Sequence, residues 1–168
     1  MQDFITLCQN RRSIRKYQDR PIEQEHLDYI LQCALMSPAG KRCNEWEFYV
    51  VTDVDKLRTL KGCRTYGSGM FETAMAAIVV ALDANKIDTW QCDGAIAAHN
   101  ILLAAEDRGI GACWSPVYNR EGAEELVKED VNVPPELTTL CVIALGYKHE
   151  ERKQYDLTKL PYEKVHQD

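Results

Sequence analysis

The chain has 168 residues, 45% apolar and 27% charged, with a formal net charge of −6 and a pI near 5.3. These values describe a single globular domain over residues 1–168 with a real core. They exclude disorder, and no apolar run approaches the roughly 18 residues that a membrane-spanning helix needs. The acidic balance opposes binding to nucleic acid or to an anionic membrane surface.

Taken in order, residues 3–12 read as a helix that Asp3 can cap, with Phe4, Leu7 and Cys8 as its apolar stripe and Arg11 and Arg12 in its last turn. Residues 23–36 are a helix because Leu27, Ile30, Leu31, Ala34 and Leu35 repeat with helical spacing, and Ser37-Pro38 stops it. Residues 46–52 predict a strand covered on both faces, and Asp53 caps a short helix through Leu60. A polar loop at residues 66–69 precedes a buried strand over 76–82. The helix at 92–108 is apolar almost all round, which places it at the centre of the fold or in a subunit interface, and Gly109 ends it. A short edge strand at 111–116, a helix at 120–129, a strong strand at 138–147 and a polar tail complete the chain. The order predicts a mixed α/β (α+β) fold with helices on both faces of one sheet. The apolar helix and the extended tail predict a dimer.

The seven cysteines, Cys8, Cys33, Cys43, Cys63, Cys92, Cys113 and Cys141, show neither C-x-x-C spacing nor an even count. They predict reduced thiols rather than disulfides or a metal site. The N-terminus, Met1-Gln2-Asp3-Phe4, lacks a basic stretch followed by an apolar one, so the expectation is a cytoplasmic protein without a secretory signal. The four histidines are dispersed, and His99 reads as a hydrogen-bonded core or interface residue rather than a base. No strand is followed by G-x-G-x-x-G, which disfavours a dinucleotide-binding Rossmann domain.

Three segments could carry chemistry. Arg11, Arg12, Ser13 and Arg15 could present guanidinium forks and a hydroxyl to a phosphate; equally, the cations could simply favour a helix C-terminus. The small-residue turn Pro38-Ala39-Gly40-Lys41-Arg42-Cys43-Asn44 leads into Trp46. It could let backbone amides approach a flat ligand or serve as an ordinary helix-to-strand loop. Gly109 to Pro116 has the same two readings.

Together and in order these segments resemble the nitroreductase family. Arg11-Arg12-Ser13-Ile14-Arg15 with Tyr17 is similar to its opening R-R-S-[IV]-R-x-[FY]. Ser37-Pro38 through Trp46-x-Phe48 is similar to A-P-S-x-x-N-x-Q-P-W-x-F. Trp90-x-x-Asp93, Asn100 and Gly109-Ile110-Gly111-x-Cys113-Trp114 resemble the central helix and the turn after it. Ala144-Leu145-Gly146-Tyr147 and Lys164-Val165-His166 resemble the last strand and tail.

The resemblance implies a central mixed, mostly antiparallel sheet flanked by helices, in an intertwined homodimer with exchanged C-terminal tails and FMN at the interface. It implies that Arg11, Arg12 and Ser13 bind phosphate and ribityl oxygens and that Arg15 sits near the ring carbonyl that becomes negative on reduction. It implies that Pro38, Ala39, Gly40, Arg42 and Asn44 come from the partner, and that Trp114, Ser115 and Pro116 face the hydride-accepting nitrogen. A late basic residue would assist the phosphate, Lys159 first and Lys153 next.

The implied reaction is ping-pong transfer from NADH or NADPH through FMN to a small acceptor such as a nitroaromatic or quinone. It requires no protein nucleophile or acid, and no catalytic residue is assigned. The alternatives are a flavin-binding redox sensor or FMN carrier without turnover, and an oxygen-using flavin dehydrogenase branch. Two departures stand out: Arg42 occupies the family's Asn position and Ala39 its Ser position.

Overall fold

A computed structural model describes residues 3–64 and 66–167; Met1-Gln2 of the N-terminal reading lie outside them. Four strands form one sheet in the order β1 (Trp46–Val51), β2 (Ala76–Leu82), β4 (Thr138–Tyr147), β3 (Ile110–Pro116). All three pairings are antiparallel, and the parallel element is an isolated bridge between Ser13 and Ala112. Every residue of β2 is buried, as is β4 from Thr139 to Gly146, so their unbroken apolar runs mark the two central strands.

Side-chain alternation divides the core between the two faces. Ile78, Val80, Ile143 and Leu145 pack under α2 (Gln24–Leu35) and α4 (Trp90–Asp107), meeting Ile30, Ala34, Ala97 and Ile101. Ala77, Val79, Val142 and Ala144 face α3 (Val54–Thr59) and α5 (Ala123–Val131), meeting Leu57, Phe71 and Val127. Ile14 and Tyr17 belong to this second layer. No described helix is long and apolar enough to cross a membrane.

The predicted elements are all present; β2 and β4 have the predicted bounds, and the others shift at one end or both. α1 spans Phe4–Asn10, and Asp3 caps it by accepting the Thr6 N–H at 3.0 Å. Arg11 and Arg12 are therefore not in its last turn: Arg11 N–H closes the helix onto Leu7 O, and Ile14 N–H then turns to Ala112 O. α4 starts two residues early, because Asp93 N–H reaches Thr89 O. α5 starts late, because Gly122 adopts a left-handed φ of 70° and a turn from Val117 to Arg120 precedes it. Gly109, with φ 71°, does end the α4 segment.

α4 leaves one stripe uncovered in the single chain: Cys92, Ala95, Ile96 and His99 are exposed. His99 is thus not a core residue. Cys63, Cys113 and Cys141 are buried, Cys92 is exposed, and all seven thiols are free. The tail is exposed from Glu151 to Lys159 and touches the body where Tyr155 and Gln9 exchange hydrogen bonds.

Candidate functional site

The Arg11–Tyr17 segment is positioned by two glycines. Gly111 of β3 and Gly146 of β4 are register partners, and together they leave a trough across the strands. A Cβ on Gly111 would lie 2.9 Å from Ile14 Cβ, and one on Gly146 would lie 2.7 Å from both Cβ and Cγ of Tyr17. The segment thus rests directly on sheet backbone. Ile14 N–H donates to Ala112 O, Gln18 N–H to Tyr147 O, and His149 N–H to Lys16 O. The Tyr17 hydroxyl donates to Ile14 O at 2.6 Å, with Ala144 O at 3.2 Å, and burial pushes this phenol well above its ordinary range.

Glu150 secures the same stretch by accepting the Arg15 N–H at 2.7 Å. Partial burial raises its carboxyl, but hydrogen bonds from the Arg15 and Lys16 backbone and the Arg152 guanidinium outweigh that and hold it below the usual range. The bond uses Arg15's backbone and leaves its guanidinium free.

The arginines sort into two groups. Arg20 pairs with Glu23 and Arg152 with Glu150; Arg58 donates to Phe71 O and Ala74 O, and Arg108 lies over Tyr29. Arg12 donates to Lys153 O and stacks 4.4 Å from the Tyr155 ring centroid, so it holds the tail. Among the described residues, the guanidiniums of Arg11, Arg15 and Arg42 have no carboxylate partner. Arg11 and Arg15 both act on the Cys113 thiol, which burial and the Glu150 carboxylate push up while Arg15, the Ser13 side chain and Arg11 partly offset them. Arg11, Ser13 and Arg15 therefore converge beside β3. Two cations without an ion-paired carboxylate among the described residues thus lie beside one edge strand of a chain of charge −6, with Glu150 nearby at the Arg15 backbone.

The Pro38–Asn44 turn is built differently. Lys41, Arg42 and Asn44 all take left-handed φ values, 52°, 59° and 49°. Such backbone is uncommon for these residue types and is sustained by its anchors. Gly40 N–H donates to both carboxylate oxygens of buried Asp93, at 3.1 and 3.2 Å, and Thr89 Oγ1 donates to the same carboxylate. A Cβ on Gly40 would fall 2.3 Å from Thr89 Oγ1. Asn100 reaches back to Ser37 Oγ at 2.8 Å. Pro38, Arg42 and Asn44 are exposed and Ala39 is half-buried. Asp93→Ala should lower stability by about 2 kcal/mol, since it strips charge-assisted bonds from the turn. It should also speed amide exchange at Gly40. Asp93→Asn should lose less, and equal exchange rates in all three proteins would refute the anchor.

Within one chain the two segments do not meet. The turn is fixed to the first turn of α4, whereas the arginines lie by Ala112, next to the helix's other end, where Lys148 pairs with Glu106 at 2.6 Å. Trp114, Ser115 and Pro116 lie on β3 just beyond Cys113: Trp114 and Pro116 are half-buried, and Ser115 is buried with its Oγ 3.8 Å from Cys63 Sγ. Lys153 reaches Arg12 through its carbonyl. Lys159 lies out on the tail beside Asp156 and is apart from the arginines in the single chain.

Sequence reasoning assigned no task to Asp93, Glu106, Lys148 or Glu150. For the first two a signal existed: each is an acid on an otherwise apolar helix, and a buried charge needs a partner. Among the described residues no cluster of three metal-ligating side chains occurs.

The model of the Nitroreductase family matches residues 8–62 and 63–147. A protein of Archaeoglobus fulgidus, provisionally named NADH dehydrogenase/NAD(P)H nitroreductase, is 36% identical over 160 residues, covering 93% of this chain and 91% of its own. A protein of Methanothermobacter thermautotrophicus with the same provisional name is 37% identical over 158 residues, covering 92% of this chain and 82% of its own. The solved structure of an FMN-dependent nitroreductase from Clostridium difficile R20291 superposes with a TM-score of 0.95 at 42% identity, covering 98% of this chain and 99% of that one.

Proposed function

Because the chain belongs to the nitroreductase family, we propose that it is an FMN-dependent oxidoreductase that takes electrons from NADH or NADPH and delivers them to a small acceptor such as a nitroaromatic or quinone. The observation that carries this reading is that Arg11 and Arg15, beside edge strand β3 on the segment seated in the Gly111–Gly146 trough, have no ion-paired carboxylate among the described residues.

FMN, when bound, supplies the hydride and electron transfer; the chain's own residues bind, orient and tune. Arg11 and Ser13 hold phosphate and ribityl oxygens through charge-assisted and neutral hydrogen bonds. Arg12 joins them when the tail that now occupies it crosses to a partner, where Lys153 or Lys159 can assist the phosphate. Arg15 places positive charge where the ring gains negative charge on reduction. The backbone of Trp114, Ser115 and Pro116 would face the ring of a bound FMN.

The reading includes a homodimer. The exposed stripe through Ile96 and His99 and the apolar groove lined by Phe4, Leu7, Met36 and Leu103 support it, since both need covering. The arginines and the Pro38–Asn44 turn lie at opposite ends of α4. A twofold axis across that helix would therefore bring one protomer's turn to its partner's arginines, and Ala39, Gly40, Arg42 and Asn44 would complete the site. The reading also places the protein in the cytoplasm.

The test is steady-state oxidation of NADH and NADPH with a nitroaromatic or a quinone. FMN-dependent turnover is the expected result. Tight FMN binding without turnover would favour a sensor or carrier, and slow nicotinamide reduction with rapid reoxidation by oxygen would favour the oxygen-using branch.

Arg42 stands where the family has a neutral amide, and its guanidinium is exposed without a carboxylate partner among the described residues. Its charge would favour negative charge on a bound flavin or meet an acidic substrate. Arg42→Asn should make the flavin potential more negative by about 30 mV, equivalent to about 1.4 kcal/mol for two electrons. An unchanged potential together with unchanged substrate preference would sink this assignment.

A further inference from the structure

Arg64, next to Cys63, and Arg120, in the turn after β3, are a second pair of arginines without a carboxylate partner among the described residues. A cavity of about 440 Å³ is lined by Cys63, Arg64, Tyr66, Asn119, Arg120 and Glu121. It adjoins the proposed reaction edge, because Cys63 Sγ is 3.8 Å from Ser115 Oγ. Arg64 is half-buried and Arg120 exposed, and neither guanidinium has a carboxylate partner among the described residues. Glu121 is the cavity's one acid and forms no ion pair with either. Tyr66 is 83% exposed at the rim, a large aromatic left open beside two cations.

Arg120 is held by local backbone. Its N–H donates to Val117 O, Ala123 N–H donates to its carbonyl, and the neighbouring Asn119 takes a left-handed φ of 55°. The turn that delayed α5 thus fixes the backbone from which this side chain leaves, and both Arg120 and Arg64 line the same cavity. Two fork-shaped donors facing one space suit a planar or tetrahedral oxyanion better than a neutral group.

We propose that this cavity is an anion subsite for the small-molecule partner of the redox reaction, in which Arg64 and Arg120 bind a terminal carboxylate or phosphate monoester while Tyr66 flanks the ring that carries it. The inference rests on the flavin reading of the Ser115 edge. The anion can sit on the acceptor, as an aromatic carboxylate, or on the donor, as the phosphate that distinguishes NADPH from NADH.

The experiment uses the FMN-loaded protein, with flavin content and circular dichroism matched between variants. kcat/KM is measured for 4-nitrobenzoate against 4-nitrobenzamide, and for NADPH against NADH. Arg64→Gln and Arg120→Gln should each reduce the preference for the charged member of one pair by about tenfold. A change in the first pair assigns the site to the acceptor, and a change in the second to the donor. Glu121→Gln should move the same preference the opposite way, by about threefold, an effect that damage to the fold would not produce. Preferences unchanged in both pairs would overturn the proposal. If the wild type turns over no donor, the flavin reading has failed on its own. The subsite is then read from 4-nitrobenzoate binding by calorimetry: weaker binding in the double arginine variant supports it, and equal affinity overturns it.

Discussion

Gly146→Val is expected to destabilise the protein by about 2 kcal/mol and to lower its midpoint of thermal unfolding by about 5 °C. The added Cβ alone would lie 2.7 Å from Cβ and Cγ of Tyr17 and 2.9 Å from its Cδ1. The first two atoms are close to the backbone and cannot swing aside as a side-chain tip can. Relief therefore requires the Arg11–Tyr17 segment to lift from the sheet, breaking the Ile14 N–H bond to Ala112 O and the Tyr17 hydroxyl's bond to Ala144 O. Tyr17→Phe isolates the hydroxyl's part and should cost about 1 kcal/mol without moving the chain. Thermal unfolding of both variants checks the pair. If Gly146→Val were as stable as wild type, the trough would not be what positions the arginines.

The second large effect concerns the arginines themselves. Replacing Arg11 and Arg15 together by Gln should weaken FMN binding by about a hundredfold or more, because two charge-assisted interactions with an anion are lost and each is worth about 1.5–3 kcal/mol. Neither side chain has a carboxylate partner among the described residues, and neither is buried. The double variant should therefore fold with little change in stability. That separates it from Gly146→Val, which should lose stability and binding together. Quenching of flavin fluorescence gives the affinity. An affinity within threefold of wild type would remove these arginines from the site.

How far the sequence could be read depends on where each signal resides. β2 and β4 are runs of apolar residues with both faces covered, so composition alone locates them, and both ends of each agree with the structure. The ends of α1, α4 and α5 were less legible, because they depend on partners remote in sequence or on local backbone reversal. Arg11 looks helical until Ile14 finds Ala112, and Gly122 delays α5 by adopting a left-handed conformation.

The site divides in the same way. The basic cluster was visible, but its two readings could not be separated without knowing which guanidiniums were already engaged. The structure separates Arg12, which grips the tail, from Arg11 and Arg15, which have no such partner. The trough was invisible, since nothing in the spacing of Gly111 and Gly146 says that they face each other across two strands. Arg64 and Arg120 stand 56 residues apart in sequence and share a cavity because residues 60–63 pack against α5 and Cys63 meets Ser115 of β3.

Titrating FMN into the purified protein, while following its visible spectrum and the quenching of flavin fluorescence, tests the central claim most directly. The account predicts saturable binding of one FMN per chain, weakened in the Arg11→Gln/Arg15→Gln protein. A colourless preparation whose titration leaves the flavin spectrum and fluorescence unchanged would contradict it.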